Sequence, residues 1–174
     1  MKPIIRLLPA ALLMFTLSGC DGPAADGPPD IRIGDSVCAE CNMIISDRRW
    51  ATATIIDGPR GPDPLLFDDF NCQVNHESEH PGLVILARWA HDHTTGDPLR
   101  AEDAVFLMSP NLRTPMASKV AAFTSSEEVN AAQAELTGDV MDFEAAWGRL
   151  GSDDACCPAE DPSHSDDKED DDGP

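Results

Sequence analysis

Residues 31 to 150 are expected to fold as an α+β domain of two tandem β-β-α-β units. Three features point there: short alternating segments rich in β-branched residues, helical stretches opened by capping residues, and the same order in each half. Trp50 to Ile56 alternates and is β-branched, which suits a half-buried strand. Asp57-Gly58-Pro59 and Gly61-Pro62 mark a turn, and Pro64 to Phe67 is a second apolar run, so the two form a hairpin. Asp69 can cap a helix through about Glu79, where Pro81-Gly82 stops it. Leu83 to Trp89 is then a third strand. In the second half, Ala104 to Met108 is a strand, a loop runs through Pro110, and another strand lies near Ala117 to Phe123. Ser125 or Ser126 opens a helix, with Glu127 and Glu128 in the first turn where the helix dipole favours them. Val140-Met141 follows Gly138 as a last strand, and Asp142 starts a short helix to about Leu150. The similar lengths suggest an internal duplication, although identity between the halves is too low to show it.

The chain has 174 residues, with 32 Asp and Glu against 12 Lys and Arg, a formal charge of -20 and no tyrosine. Such a surface repels a phosphate backbone, so nucleic-acid binding is excluded and cations or a basic protein surface are favoured. Lys2 and Arg6 precede the apolar run Leu7 to Leu17, which is too short to cross a bilayer and reads as a signal peptide over residues 1 to 19. Leu17-Ser18-Gly19-Cys20 resembles the bacterial lipoprotein box, in which Cys20 becomes the acylated first residue of the mature protein. Two or more acyl chains give stable anchoring, so the protein is expected to be tethered to a membrane and to face the periplasm or the cell exterior. Residues 20 to 30 combine that anchor with a Pro- and Gly-rich spacer. From Gly151 to Pro174 ten acidic residues stand against Lys168 alone, and this tail is expected to be disordered. Its adjacent Cys156 and Cys157 read as free thiols of an unstructured segment or as a weak metal-gathering site.

Chemistry concentrates in Cys38-Ala39-Glu40-Cys41-Asn42-Met43, three sulfur side chains within six residues. Two cysteines at this spacing can chelate one metal across a tight turn, or form a disulfide as a structural or redox pair. The methionine shifts the weighting, because a thioether is neutral and soft, suits Cu(I) and is a poor ligand for zinc. A zinc module would also want a second pair of ligands, and no partner Cys-x-x-Cys occurs. Cys72 reads as a small buried core residue whose replacement by Ser changes little. Met116, in Arg113-Thr114-Pro115-Met116, sits in a polar loop beside proline, where packing gives it little reason to be. His91 and His93 share a strand face at a spacing able to bind an ion, with His93 the more solvated. His76 and His80 lie four apart on one helix face but are flanked by Glu77 and Glu79, as on an ordinary wet surface. No nucleophile elbow, phosphate loop or paired carboxylates occur, so the protein is not expected to be an enzyme. The alternatives are an extracytoplasmic thiol-disulfide oxidoreductase using Cys38 and Cys41, and a structural zinc module.

The Cys-x-x-Cys-x-Met element, Arg49-Trp50-Ala51, Phe67-Asp68-Asp69 with Cys72, Trp89-Ala90-His91-Asp92, and Arg113-Thr114-Pro115-Met116 before Val120-Ala121-Ala122-Phe123 together resemble the NosL-type copper chaperones of nitrous-oxide reductase. The resemblance runs from about Val37 to Leu150 and departs at Ala117, where that family usually has Gly. It implies a lipoprotein that binds Cu(I) and passes it towards the copper sites of nitrous-oxide reductase, with a membrane ABC transporter as docking partner. His91 matches the family's pattern. The expected site is exposed and low-coordinate, with Cys41 and Met43 as principal ligands, Met116 or His91 arriving from elsewhere in the fold, and Cys38 beside them.

Overall fold

The computed structural model describes residues 27–152. The signal peptide, Cys20, the first part of the spacer and the tail with Cys156 and Cys157 lie outside the described residues. Strand β1 (Thr52–Gly58) runs antiparallel to β2 (Gly61–Phe67), the two joined at Pro59-Arg60 with Gly61 at φ 109°. Asp69 then caps α1 (Phe70–Glu79) by accepting the Phe70 N–H, and β3 (Ile85–His91) returns antiparallel to β1. A short β4 (Pro98–Arg100) adds to the edge of β3, followed by a 3-10 turn over Ala101–Asp103. The second unit repeats the plan with β5 (Val105–Met108), β6 (Val120–Phe123), α2 (Ser126–Leu136) and β7 (Asp139–Met141), and α3 (Phe143–Gly151) ends it. The strand orders are β2-β1-β3-β4 and β6-β5-β7. In both units the first strand lies between the second and third, so the α+β fold of two β-β-α-β units stands.

Element edges differ from expectation where turns compete with strands. The first strand starts at Thr52 rather than Trp50, because Trp50 and Ala51 donate backbone bonds to Asp47 and Arg48 in a turn. The third starts at Ile85 rather than Leu83, because Leu83 N–H bonds back to the His80 carbonyl. The sixth starts at Val120 rather than near Ala117, because Ala117 and Lys119 take φ of 60° and 57°, incompatible with extended pairing. Strand β4 was not expected: three residues led by proline give no alternation.

The sheets join where β3 runs out, through a parallel bridge between Asp92 and Ala122. Buried Asp92 secures it, accepting from Thr124 N and Oγ1 at 2.8 and 2.9 Å and from the amides of Thr94 and Thr95. Helices α1 and α3 pack together over Phe70, Val74, Phe106, Phe143 and Ala146, with the Phe70 and Phe106 rings stacked at 5.1 Å. Burial of each such aromatic contributes roughly 2 kcal/mol, far more than the weak amphipathicity of α1 could. Arg88 on β3 closes the far end, donating to both Glu77 oxygens and lying 4.8 Å from the Trp147 ring.

Candidate metal centre

The segment before β1 is folded around Cys38. Val37 pairs with Ile44, Cys38 N–H donates to the Met43 carbonyl at 2.8 Å, and Asn42 N–H returns to the Cys38 carbonyl at 3.0 Å. That reversal needs Asn42 at φ 59°, a conformation Asn tolerates better than most residues. The knuckle is anchored to β2 by Ala39 N–H on the Leu66 carbonyl, and behind it Ser46 N–H donates to Asp68 Oδ1. The backbone amides of Glu40, Cys41 and Asp68 favour the thiolate form of Cys38, and that of Met43 favours it at Cys41. Such amides stabilise a thiolate.

Cys72, in the first turn of α1, completes the cluster. Its sulfur lies within 4.8 Å of those of Cys38 and Cys41, and the three are free thiols. Cys38 and Cys72 are buried and Cys41 is half-buried, so Cys41 is the sulfur nearest solvent. The Cys72 S–H and the surrounding amides pull the Cys38 thiol down to about 5, against the opposing effect of burial. Cys72 is pushed up by the same hydrogen bond and by burial, and Cys41 is pushed up chiefly by burial. The trio therefore carries one negative charge at neutral pH, centred on Cys38. Asp68 beside it is held above the usual carboxylate range, mainly by burial.

Met116 packs against the group of Cys38, Phe67 and Cys72. Its loop is tied down by Asp69, which accepts the Met116 N–H at 2.8 Å, and by Asn71 Nδ2, which donates to the Met116 carbonyl at 2.6 Å. Met43 is 55% exposed, two residues beyond Cys41. His76 Nδ1 stands 3.0 Å from Glu40 Oε2, bracing α1 against the turn between the two cysteines.

Of the residues expected from sequence, Cys38, Cys41 and Met116 come together here, whereas Met43, two residues beyond Cys41, is exposed and is not part of the packed group. His91 stands outside the cysteine group. Its Nδ1 faces the Ala51 carbonyl at 2.7 Å, it lines a small cavity with Trp50, Thr52 and Phe70, and burial lowers its pKa. The residue that sequence reasoning passed over is Cys72. Its place in the first turn of an Asp-capped helix was readable, but its approach to the knuckle is set by tertiary packing.

Three thiols and a thioether form a soft donor set, suited to a monovalent or thiophilic ion. No protein-family model matches the sequence, and no curated protein matches it. Among solved structures, the fold is similar to the crystal structure of the copper chaperone NosL from Shewanella denitrificans, with a TM-score of 0.59. The match spans 68% of this chain and 94% of that one at 13% sequence identity, and is a likeness of fold.

Proposed function

We propose that this chain is a Cu(I) carrier, anchored to a membrane through Cys20, that supplies copper for assembly of the copper sites of nitrous-oxide reductase. The observation that supports it best is the cluster of Cys38, Cys41 and Cys72 with the Met116 thioether packed against it. The NosL-like fold and the lipoprotein-box sequence ending at Cys20 support the same reading. A membrane ABC transporter is the proposed docking partner, on the strength of the sequence resemblance alone.

The chemistry follows from the gradient of exposure. An incoming ion meets Met43 and Cys41 first, because these are the sulfurs nearest solvent. Cys38 supplies the negative charge that neutralises Cu(I), and Cys41 or Cys72 loses a proton as a further Cu–S bond forms. Release uses the same exposed side: a partner's sulfur displaces Cys41 first, and the ion leaves by stepwise exchange without being freed into water. Thioethers add selectivity for the monovalent ion with little affinity for zinc.

The low pKa of Cys38 also suits a thiol-disulfide oxidoreductase. Cys38, however, has no exposed surface, and a nucleophilic thiol must meet its substrate disulfide in line. Anaerobic titration with Cu(I) against a competing chelator tests the proposal. One tightly held Cu(I) per chain with all three thiols reduced is expected, whereas a stable metal-free disulfide or stoichiometric zinc would overturn it. Replacing Cys20 by Ser is expected to move the protein from the membrane fraction to the soluble fraction, and unchanged partitioning would remove the anchor from the proposal.

A further inference from the structure

We propose that Asp69 is the positioning residue that seats the Met116 thioether against the three thiols, and thereby sets the preference of the site for monovalent copper; the proposal rests on the Cu(I) reading above. Asp69 is 1% exposed, and among the described residues neither of its oxygens meets a cationic side chain. A buried carboxylate without a counter-charge persists only if its lone pairs are satisfied by donors. Oδ1 accepts from Phe70 N–H at 2.8 Å and from the Ser118 hydroxyl. Oδ2 accepts from Thr114 Oγ1 at 2.7 Å, Met116 N–H at 2.8 Å and Ser118 N–H at 3.2 Å. Helix capping needs only the first of these five bonds. The other four all come from residues 114 to 118.

Asn71, two residues on, holds the other face of Met116 through its carbonyl. Both backbone polar groups of Met116 are thus held by side chains at the start of the helix that bears Cys72, so thioether and thiol share one rigid mount. The loop is not a relaxed one, since Ala117 at φ 60° and Lys119 at φ 57° are left-handed without being glycine. Strain of this kind survives only where the surroundings over-determine the conformation, and the Asp69 bonds do that. A neutral sulfur fixed in this way favours Cu(I) over Zn(II).

The test compares the parent with Asp69→Asn, Asn71→Ala, Met116→Leu and the Asn71→Ala/Met116→Leu double variant, all as full mature chains. Circular dichroism confirms folding, and Asn71→Ala carries the test if Asp69→Asn fails to fold. Met116→Leu and Asn71→Ala are each expected to weaken Cu(I) binding by about tenfold, as for partners that orient a ligand, with Zn(II) affinity unchanged. The double variant is expected to be no weaker than Met116→Leu alone, and copper X-ray absorption of Asn71→Ala to lose one sulfur neighbour. In the copper-free protein, the Met116 methyl resonance of Asn71→Ala is expected to move towards its unfolded position. Folded Asn71→Ala and Asp69→Asn variants that match the parent in Cu(I) affinity and in the Met116 resonance would overturn the proposal. A parent that binds no Cu(I) but shows the resonance shift overturns the copper reading while leaving the positioning in place.

Discussion

The Cys72 sulfur in the first turn of α1 lies within 4.8 Å of the Cys38 sulfur in the knuckle ahead of β1, and its S–H favours the Cys38 thiolate. The sulfur that looked like core filling in the sequence is the one that holds its neighbour ionised.

Replacing Cys72 by Ser is therefore expected to weaken Cu(I) binding by tenfold or more, on the order of the loss when a metal ligand's partner is removed. Chelator competition reads the affinity, and the pH profile of thiol alkylation in urea-free buffer follows Cys38. An affinity within twofold of the parent would show that Cys72 is no more than a core residue.

Copper uptake should depend on pH with a definite sign. Cys38, at about 5, is already a thiolate at pH 7, whereas Cys41 and Cys72 are held above their ordinary values and keep their protons. Binding that displaces those protons strengthens as pH rises, by up to about tenfold per pH unit for each proton lost. Below about pH 5 the Cys38 proton joins the competition and the slope steepens. A flat affinity between pH 6 and 8 would mean that Cys38 is the only thiolate used.

Ala117 occupies the left-handed region at φ 60° on an exposed loop. Glycine relieves a cost of about 1–2 kcal/mol there and forfeits somewhat less in unfolded-state entropy, so Ala117→Gly is expected to stabilise the fold by roughly 0.5–1 kcal/mol. Urea denaturation measures the change. A lower midpoint would refute the strain.

Gly138 presents the opposite case. A Cβ there would lie 2.3 Å from the Met108 carbonyl oxygen and 2.9 Å from Ser109 Cβ, with φ at 110°. The clash is with backbone, so nothing flexible can give way, and Gly138→Ala is expected to cost at least about 2 kcal/mol. The same denaturation experiment decides it, and a loss under half that size would place the turn elsewhere.

Local chemistry made most of the architecture legible. Asp69, Ser125 and Asp142 each cap the helix that their side-chain chemistry suggests. The glycine and proline signals at 57 to 62 mark the hairpin turn, although both strands run further into it than the apolar pattern suggests. Edges slipped where backbone turns competed, as at Trp50-Ala51, because such bonds leave no trace in hydrophobic periodicity. Within the centre, the Cys-x-x-Cys-x-Met element is local and stood out, but Cys72 and Met116 reach it only through tertiary packing. Asp69 was legible as a cap and illegible as a clamp, since its partners at 114 to 118 lie far along the chain.

The repeated strand order assigns the two units different contributions to the centre. The first unit, with the segment that precedes it, supplies every thiol, and the second supplies the thioether from the connection between its first two strands. The first unit holds the cysteines but lacks that sulfur. The number of sulfurs that can gather there is thus a property of how the two units fit. Because α1 and α3 pack over one core that both units share, the seam that brings the thioether to the thiols is also part of what holds the domain together.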